Sequence, residues 1–198
     1  MLTLAAAFLP FAVVAGFTPG PNNLMLAASG ANFGVRRTLP HLLGIVFGFP
    51  LVLLAVGLGL GAMFQRHPEA HAIMKFVGAA FLIYLAWRIA TASPYTSGSA
   101  IRRPLTFLEA FLFQWVNIKG WVFAISAITT YTTVGGRASQ ELAVILTMSA
   151  LVTIGSTSAW TGFGVAISRF LHESPKTRRV FNISMALLLV LSIVPVVM

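Results

Sequence analysis

An apolar run that begins at Leu2 continues to about Phe33, yet it contains Thr18-Pro19-Gly20-Pro21-Asn22-Asn23 and, just before them, Gly16. Proline has no amide hydrogen, so a helix through this stretch would leave the carbonyls of Ala15 and Phe17 without their donors. In hydrocarbon an unpaired backbone group is costly, and such a break persists only where protein or a water-filled cavity surrounds it. The stretch therefore predicts a broken membrane-spanning helix that lines a path for a solute.

The rest of the chain fits that setting. Of its 198 residues 58% are hydrophobic and 9% charged, against roughly 25% charged in a soluble domain. Six apolar spans can be drawn, at about Leu2–Ala31, His41–Met63, His71–Ala90, Leu105–Tyr131, Gln140–Ser168 and Val180–Val197. They leave no room for an attached soluble domain. A removable signal peptide is not expected, because there is no basic n-region and the first apolar run continues past its prolines. The net charge of +9 comes from basic residues at the ends of apolar runs rather than on one amphipathic surface, which points away from nucleic acid.

Lysine and arginine set the orientation. Arg36, Arg37, Arg88, Arg102, Arg103, Arg169, Lys176, Arg178 and Arg179 fall on one side, and Arg66, Lys75 and Arg137 on the other. Both termini are therefore expected on the non-cytoplasmic side of an inner (plasma) membrane. The linker-like stretch Ser93–Arg103 divides the chain into halves of about 1–92 and 104–198 within one transporter domain. Three spans per half force the second half to enter the membrane from the opposite side, as in transporters built from inverted repeats. The break at 18–23 has a counterpart at Trp115-Val116-Asn117-Ile118-Lys119-Gly120, displaced by roughly half the chain, and paired interruptions point to a transport site. The expected fold is an all-α membrane protein of six transmembrane helices, two inverted three-helix repeats, with helices 1 and 4 broken. Gly44, Gly48, Gly57 and Gly61 in span two read as helix contacts, as does a small-residue face of span five formed by Gly155, Ser158 and Gly162, with Ser156, Thr157 and Thr161 near it.

Most charges lie within about a turn of a span end, but Lys119 is fourteen residues from Leu105 and twelve from Tyr131. A lysine at a helix centre costs roughly 2.5–3.5 kcal/mol on insertion scales, which makes it a functional candidate. The competing reading ties it to carbonyls freed by the break. Pro21 suits the first turn of a new helix, with Asn22 and Asn23 to cap or line it. A helix N-terminus offers free amides to a carboxylate, and Lys119 would add a full positive charge. Freed carbonyls, with Thr18, Gln114 and Asn117, could accept hydrogen bonds from an ammonium group. One end for an anion and one for a cation describe an amino acid. The candidate substrate site is thus Thr18, Pro19, Gly20, Pro21, Asn22, Asn23, Gln114, Asn117 and Lys119.

Other chemistry lacks its parts. The chain has no cysteine and no aspartate, and no two histidines sit with a carboxylate at metal-ligand spacing, so neither a metal nor another cofactor is expected. Neither a G-x-S-x-G elbow nor an H-E-x-x-H helix occurs, and the chain does not read as an enzyme. His67 and His71 read as entrance residues, while His41 could serve a proton path. A pore for small solutes through the same breaks is one alternative to a carrier; an intramembrane enzyme is the other, for which the sequence offers scattered serines without a mid-membrane histidine as base.

The motif at residues 18–23 resembles the N-terminal signature of the LysE/RhtB family of amino-acid exporters. The likeness continues through Gly44–Phe49, Gly78–Trp87 and Phe113-Gln114-Trp115-Val116-Asn117-Ile118-Lys119. This resemblance implies an inner-membrane exporter of amino acids or close derivatives, driven by the proton gradient. With no glutamate mid-membrane, the proton would have to use Lys119, His41 or Glu109. Many relatives read Asn-Pro-Lys at the second break, and this chain reads Asn117-Ile118-Lys119, similar to the cysteine and O-acetylserine exporter branch. Small neutral substrates, either cysteine/O-acetylserine-like or homoserine/threonine-like, follow from that likeness. Without the proline, the sequence does not dictate how sharp the second break is.

Overall fold

The computed structural model describes residues 1–61, 68–92, 103–133, 137–172 and 174–194. Apart from Arg103, the linker expected over Ser93–Arg103 lies outside the described residues, as do Arg66 and His67. The elements are α1 (Leu2–Phe17), α2 (Pro21–Ala55), α3 (Pro68–Ala90), α4 (Phe107–Val116), α5 (Ile118–Tyr131), α6 (Ala138–His172) and α7 (Pro175–Leu191). A π-helical turn, Val56–Leu60, extends α2. No strand occurs among the described residues.

Three helical stretches are long and apolar enough to cross a bilayer: Pro21–Leu60, Ala72–Ala90 and Ala138–Leu171. A fourth is reached if α4 and α5, bent by 60° at one residue, count as one. α1 is apolar but only 16 residues long. The Pro21–Leu60 stretch, at 40 residues, far exceeds the ~20 that a span needs. Inside it Gly34 has φ 76°, a left-handed conformation open to glycine without penalty, and Arg36 and Arg37 follow at once.

Local chemistry places the helix ends. Thr18, before Pro19, takes φ −59° and ψ 135°, because the proline ring excludes the helical region for its predecessor. Gly20 is fully extended and Pro21 restarts the helix at its first position, where a missing amide costs nothing. α4 begins with a reciprocal cap in which Thr106 accepts from the Glu109 amide and Glu109 accepts from the Thr106 amide. α4 stops at Asn117, whose φ −81° and ψ 93° separate it from α5.

Close approaches of backbone fix the packing. At the α2–α6 crossing a side chain on Gly30 would run into the Thr161 carbonyl, and one on Gly164 into the Ala27 carbonyl. At the α2–α4 contact a Cβ on Gly44 would lie 2.5 Å from the Phe107 oxygen and 2.7 Å from the Ala110 Cβ. Gly57 meets Leu142 of α6 in the same way. The small-residue face expected on span five is corrected here. Gly155, Ser158 and Gly162 are exposed, and it is Ser156, Thr157, Thr161 and Gly164 that turn inward. Both stripes have helical spacing, and only the position of α1 and α2 decides which of them is covered.

Gly164→Ala should therefore lower stability by about 1–3 kcal/mol through overpacking, whereas Gly162→Ala, with nothing within 4 Å, should leave it unchanged. Thermal unfolding of the two detergent-solubilised variants, compared with wild type, checks this.

Candidate functional site

The two breaks meet. α1 ends, α2 begins, α4 bends into α5 and α6 passes alongside, enclosing a cavity of ≈ 80 Å³, room for several water molecules. Its wall includes Ala15, Gly20, Pro21, Asn22 and Asn23 from the first break, Asn117 and Lys119 from the second, and Phe49, Phe123 and Ser149 around them. No carboxylate lines it among the described residues.

Of the residues expected from sequence, Gly20, Pro21, Asn22, Asn23, Asn117 and Lys119 lie on this wall, and Thr18, Pro19 and Gln114 do not. Thr18 contributes its carbonyl, while its hydroxyl turns back onto the Val14 carbonyl. Pro19 is exposed and shapes the break. Gln114, 1% exposed, stands behind the wall. It exchanges two amide hydrogen bonds with Asn22, at 2.8 and 3.2 Å, and donates a third to the Ala110 carbonyl at 2.8 Å.

Lys119 makes the tie to a freed carbonyl that one of its sequence readings describes, and it also lies on the cavity wall. Its ammonium donates to the Thr18 carbonyl at 2.8 Å, joining the second break to the first. An ammonium has three donors, so the tie to Thr18 leaves capacity for a further acceptor. The lysine stem lies so close over Gly20 that a Cβ there would be 2.8 Å from its Cδ and 2.9 Å from its Nζ. A side chain at Gly20 would thus displace the Lys119 stem from its place over the break.

More carbonyls are freed at the first break than the prolines alone predict. Because the helix stops at Phe17, the amides of Gly20 and Asn22 no longer reach Gly16 and Thr18. Asn23 Nδ2 bridges those two carbonyls at 2.8 and 2.9 Å, and Ser156 Oγ also donates to Gly16 at 2.7 Å. The Phe17 carbonyl accepts from the Trp160 indole at 3.3 Å. The Ala15 carbonyl receives no hydrogen bond among the described residues, and Ala15 is on the cavity wall.

The second break is sealed in a similar way. The Trp121 indole donates to the Trp115 carbonyl at 2.9 Å, and the Asn117 carbonyl accepts from the Gly120 and Trp121 amides. α3 backs onto the Val116 carbonyl at Gly78, where a side chain could not fit. Asn117 alone gives a 60° bend, so the absent proline does not blunt this break. Ser156, Trp160 and Trp121 were not among the sequence candidates. On a helix their types read as packing or interface residues, and only the spatial pairing with a break distinguishes them.

A separate polar group lies at the start of α4. Arg103 grips Glu109 through two bonds of 2.6 and 2.9 Å, and Arg88, 7% exposed, donates to the Arg103 carbonyl at 3.0 Å. Asn32 and Asn182 exchange amide bonds between α2 and α7.

The family model for the LysE type translocator matches residues 13–194. The chain belongs to that family. It is accordingly a multi-pass membrane transporter of an amino-acid efflux family and not an enzyme. Proteins described as cysteine/O-acetylserine efflux proteins from Escherichia coli strain K12 and Shigella sonnei strain Ss046 are each 30% identical over 189 residues, covering 95% of this chain and 94% of theirs. No solved structure matches the chain. The matched residues of this LysE type translocator take in both breaks and, apart from Ala12, the cavity wall between them.

Asn23→Ala would remove a donor shared by two carbonyls, and because Gly16 keeps Ser156 and Thr18 keeps Lys119, the cost is about 0.5–1.5 kcal/mol for each of the two hydrogen bonds lost. The variant should be about 1–3 kcal/mol less stable than wild type in chemical unfolding of the purified protein. Stability equal to wild type would show that Asn23 does not hold the break.

Proposed function

We propose that the chain exports small neutral amino acids or close derivatives across the inner membrane by alternating access, with the substrate held between the two breaks. The observation that carries this reading is the Lys119 ammonium, which lies on the wall of the shared cavity and reaches from α5 over Gly20 to the Thr18 carbonyl. A substrate carboxylate takes the place of the Thr18 carbonyl on Lys119. It also accepts from the amides at the start of α2, where the helix dipole favours an anion. The substrate ammonium then turns to the Ala15 carbonyl and the released Thr18 carbonyl. A site with one lysine, no lining carboxylate and several carbonyls suits a zwitterion better than a substrate with an extra charge. Ile45, Phe49 and Phe123 leave a short, mostly apolar space for the side chain.

In this reading α1 and the part of α2 before Gly34 form one broken span, the remainder of α2 a second and α3 a third. α4 with α5, then α6 and α7, repeat that order upside down, in repeats of about 1–92 and 104–198. Both termini face away from the cytoplasm, in keeping with the distribution of arginine and lysine. The likeness to cysteine/O-acetylserine efflux proteins favours a cysteine/O-acetylserine-like substrate, with a homoserine/threonine-like one next. Protons supply the driving force.

Lys119→Ala should reduce export roughly 10- to 100-fold, the worth of a charge-assisted hydrogen bond, with the amount of protein in the membrane unchanged. Efflux of amino acids from cells loaded with a dipeptide checks this, and a wild-type rate in the variant would remove Lys119 from the site. Exchange of external for labelled internal substrate, saturating with concentration, distinguishes a carrier from a pore.

A further inference from the structure

We propose that His41 is the proton-binding residue that couples transport to a proton gradient, an inference that rests on the exporter reading above. Sequence leaves three groups that could carry the proton, and the structure commits two of them elsewhere. Lys119 is tied to the Thr18 carbonyl in the substrate cavity. Glu109 accepts two bonds from Arg103 and two more from the Thr106 amide and hydroxyl, at 2.7 and 2.9 Å. His41 is 1% exposed, and neither ring nitrogen has a hydrogen-bond partner among the described residues. A neutral imidazole carries one donor and one acceptor, and a buried polar group left without partners calls for a functional explanation.

The surroundings fit a proton site that communicates with the substrate cavity. Ile45 and Phe49, four and eight residues on, share a face of α2 with His41 and both line that cavity. The ring therefore sits only about 6 Å further along the helix than the cavity wall at Ile45. The charged groups acting on it are Arg88 from α3 and Glu109 from α4. α5 carries Lys119, and α7 the buried Arg178. On α6, Glu141 is bound to Thr133 and Arg169 is exposed.

The same α2 surface also bears α4. Gly44 and Gly48 admit α4 so closely that a Cβ on Gly48 would lie 2.9 Å from the Gln114 Cγ. Gln114 in turn holds Asn22 at the start of α2. A proton taken up on the free ring nitrogen makes His41 a cation with two donors, and Glu109 is the carboxylate at hand. Drawing Glu109 inward loosens its hold on Arg103 and swings α4 about Asn117. Gln114, in the last turn of α4, moves with the helix, and Asn22 with it. Loss of the proton to the other side of the membrane restores the starting arrangement, with no covalent change.

The test uses the full chain in proteoliposomes with labelled O-acetylserine. Two rates are measured: exchange of labelled for unlabelled compound without a gradient, and accumulation driven by a pH difference. The wild type should show both. His41→Gln should exchange at nearly the wild-type rate, while its gradient-driven accumulation falls at least about fivefold, the scale of coupling between linked sites. Accumulation in His41→Gln equal to wild type overturns the proposal, and so does a wild type that exchanges but never responds to the gradient. Absence of wild-type exchange would instead count against the exporter reading with this compound. A single-histidine protein, His67→Gln/His71→Gln/His172→Gln, covers the case in which His41→Gln does not fold. Its one labelled ring should take up a proton when the pH difference is imposed and respond to added O-acetylserine. A ring that does neither overturns the assignment.

Discussion

A backbone carbonyl or amide that loses its helical partner away from water must find another, and much of this structure answers that demand. Two prolines and an extended glycine end α1, and Asn117 bends α4 into α5. Each interruption releases carbonyls, and each is closed by side chains from elsewhere in the chain. Asn23 bridges Gly16 and Thr18, Ser156 and Trp160 reach in from α6, Trp121 folds back on Trp115, and Lys119 spans from one break to the other. The glycines complete the same pattern. Gly20 makes way for the Lys119 stem, Gly78 for the Val116 carbonyl, and Gly30 and Gly164 allow α2 and α6 to meet at backbone distance.

The position of Lys119, tied to one break and facing the cavity, follows from this economy of partners. A lysine buried only to brace a break would be expected to spend its donors on backbone. One that served a substrate alone would leave the Thr18 carbonyl unpaired whenever the site emptied. With the ammonium on Thr18 and on the cavity wall together, the carbonyl serves as a stand-in acceptor. In the proposed site a bound carboxylate would take the place of this carbonyl on the ammonium, and its charge makes it the stronger acceptor. Asn22 and Gln114, joined by a reciprocal amide pair, connect the start of α2 to the helix before the second break.

How much of this could be read in the sequence depends on whether the signal is local. The first break was legible because proline acts on its own neighbours, and the second because a polar run with a lysine interrupts an apolar span. The carbonyls released at Gly16 and Thr18 were not, since they depend on where the helix stops rather than on which residue lacks an amide. The roles of Ser156, Trp160 and Trp121 were hidden for a different reason. Small and aromatic residues at helical spacing look the same whether they face lipid, another helix or a broken backbone. The stripe of Gly155, Ser158 and Gly162 illustrates the point, because its spacing matched a packing face and the structure leaves it outside. His41 stood in the sequence as one of several histidines, and its burial without partners emerges only from tertiary packing.

The central claim is that the two breaks wall a single substrate site. Because the chain has no cysteine, one can be introduced at Ala15, beside the first break, and in a second protein at Phe123, beyond the second. The rate of thiol labelling is then measured with and without the amino acid that the cells export. The account predicts that the same concentration of that amino acid slows labelling at both positions and leaves a cysteine at the outward-facing Gly162 unaffected. Protection at only one break, or equal protection at Gly162, would contradict it.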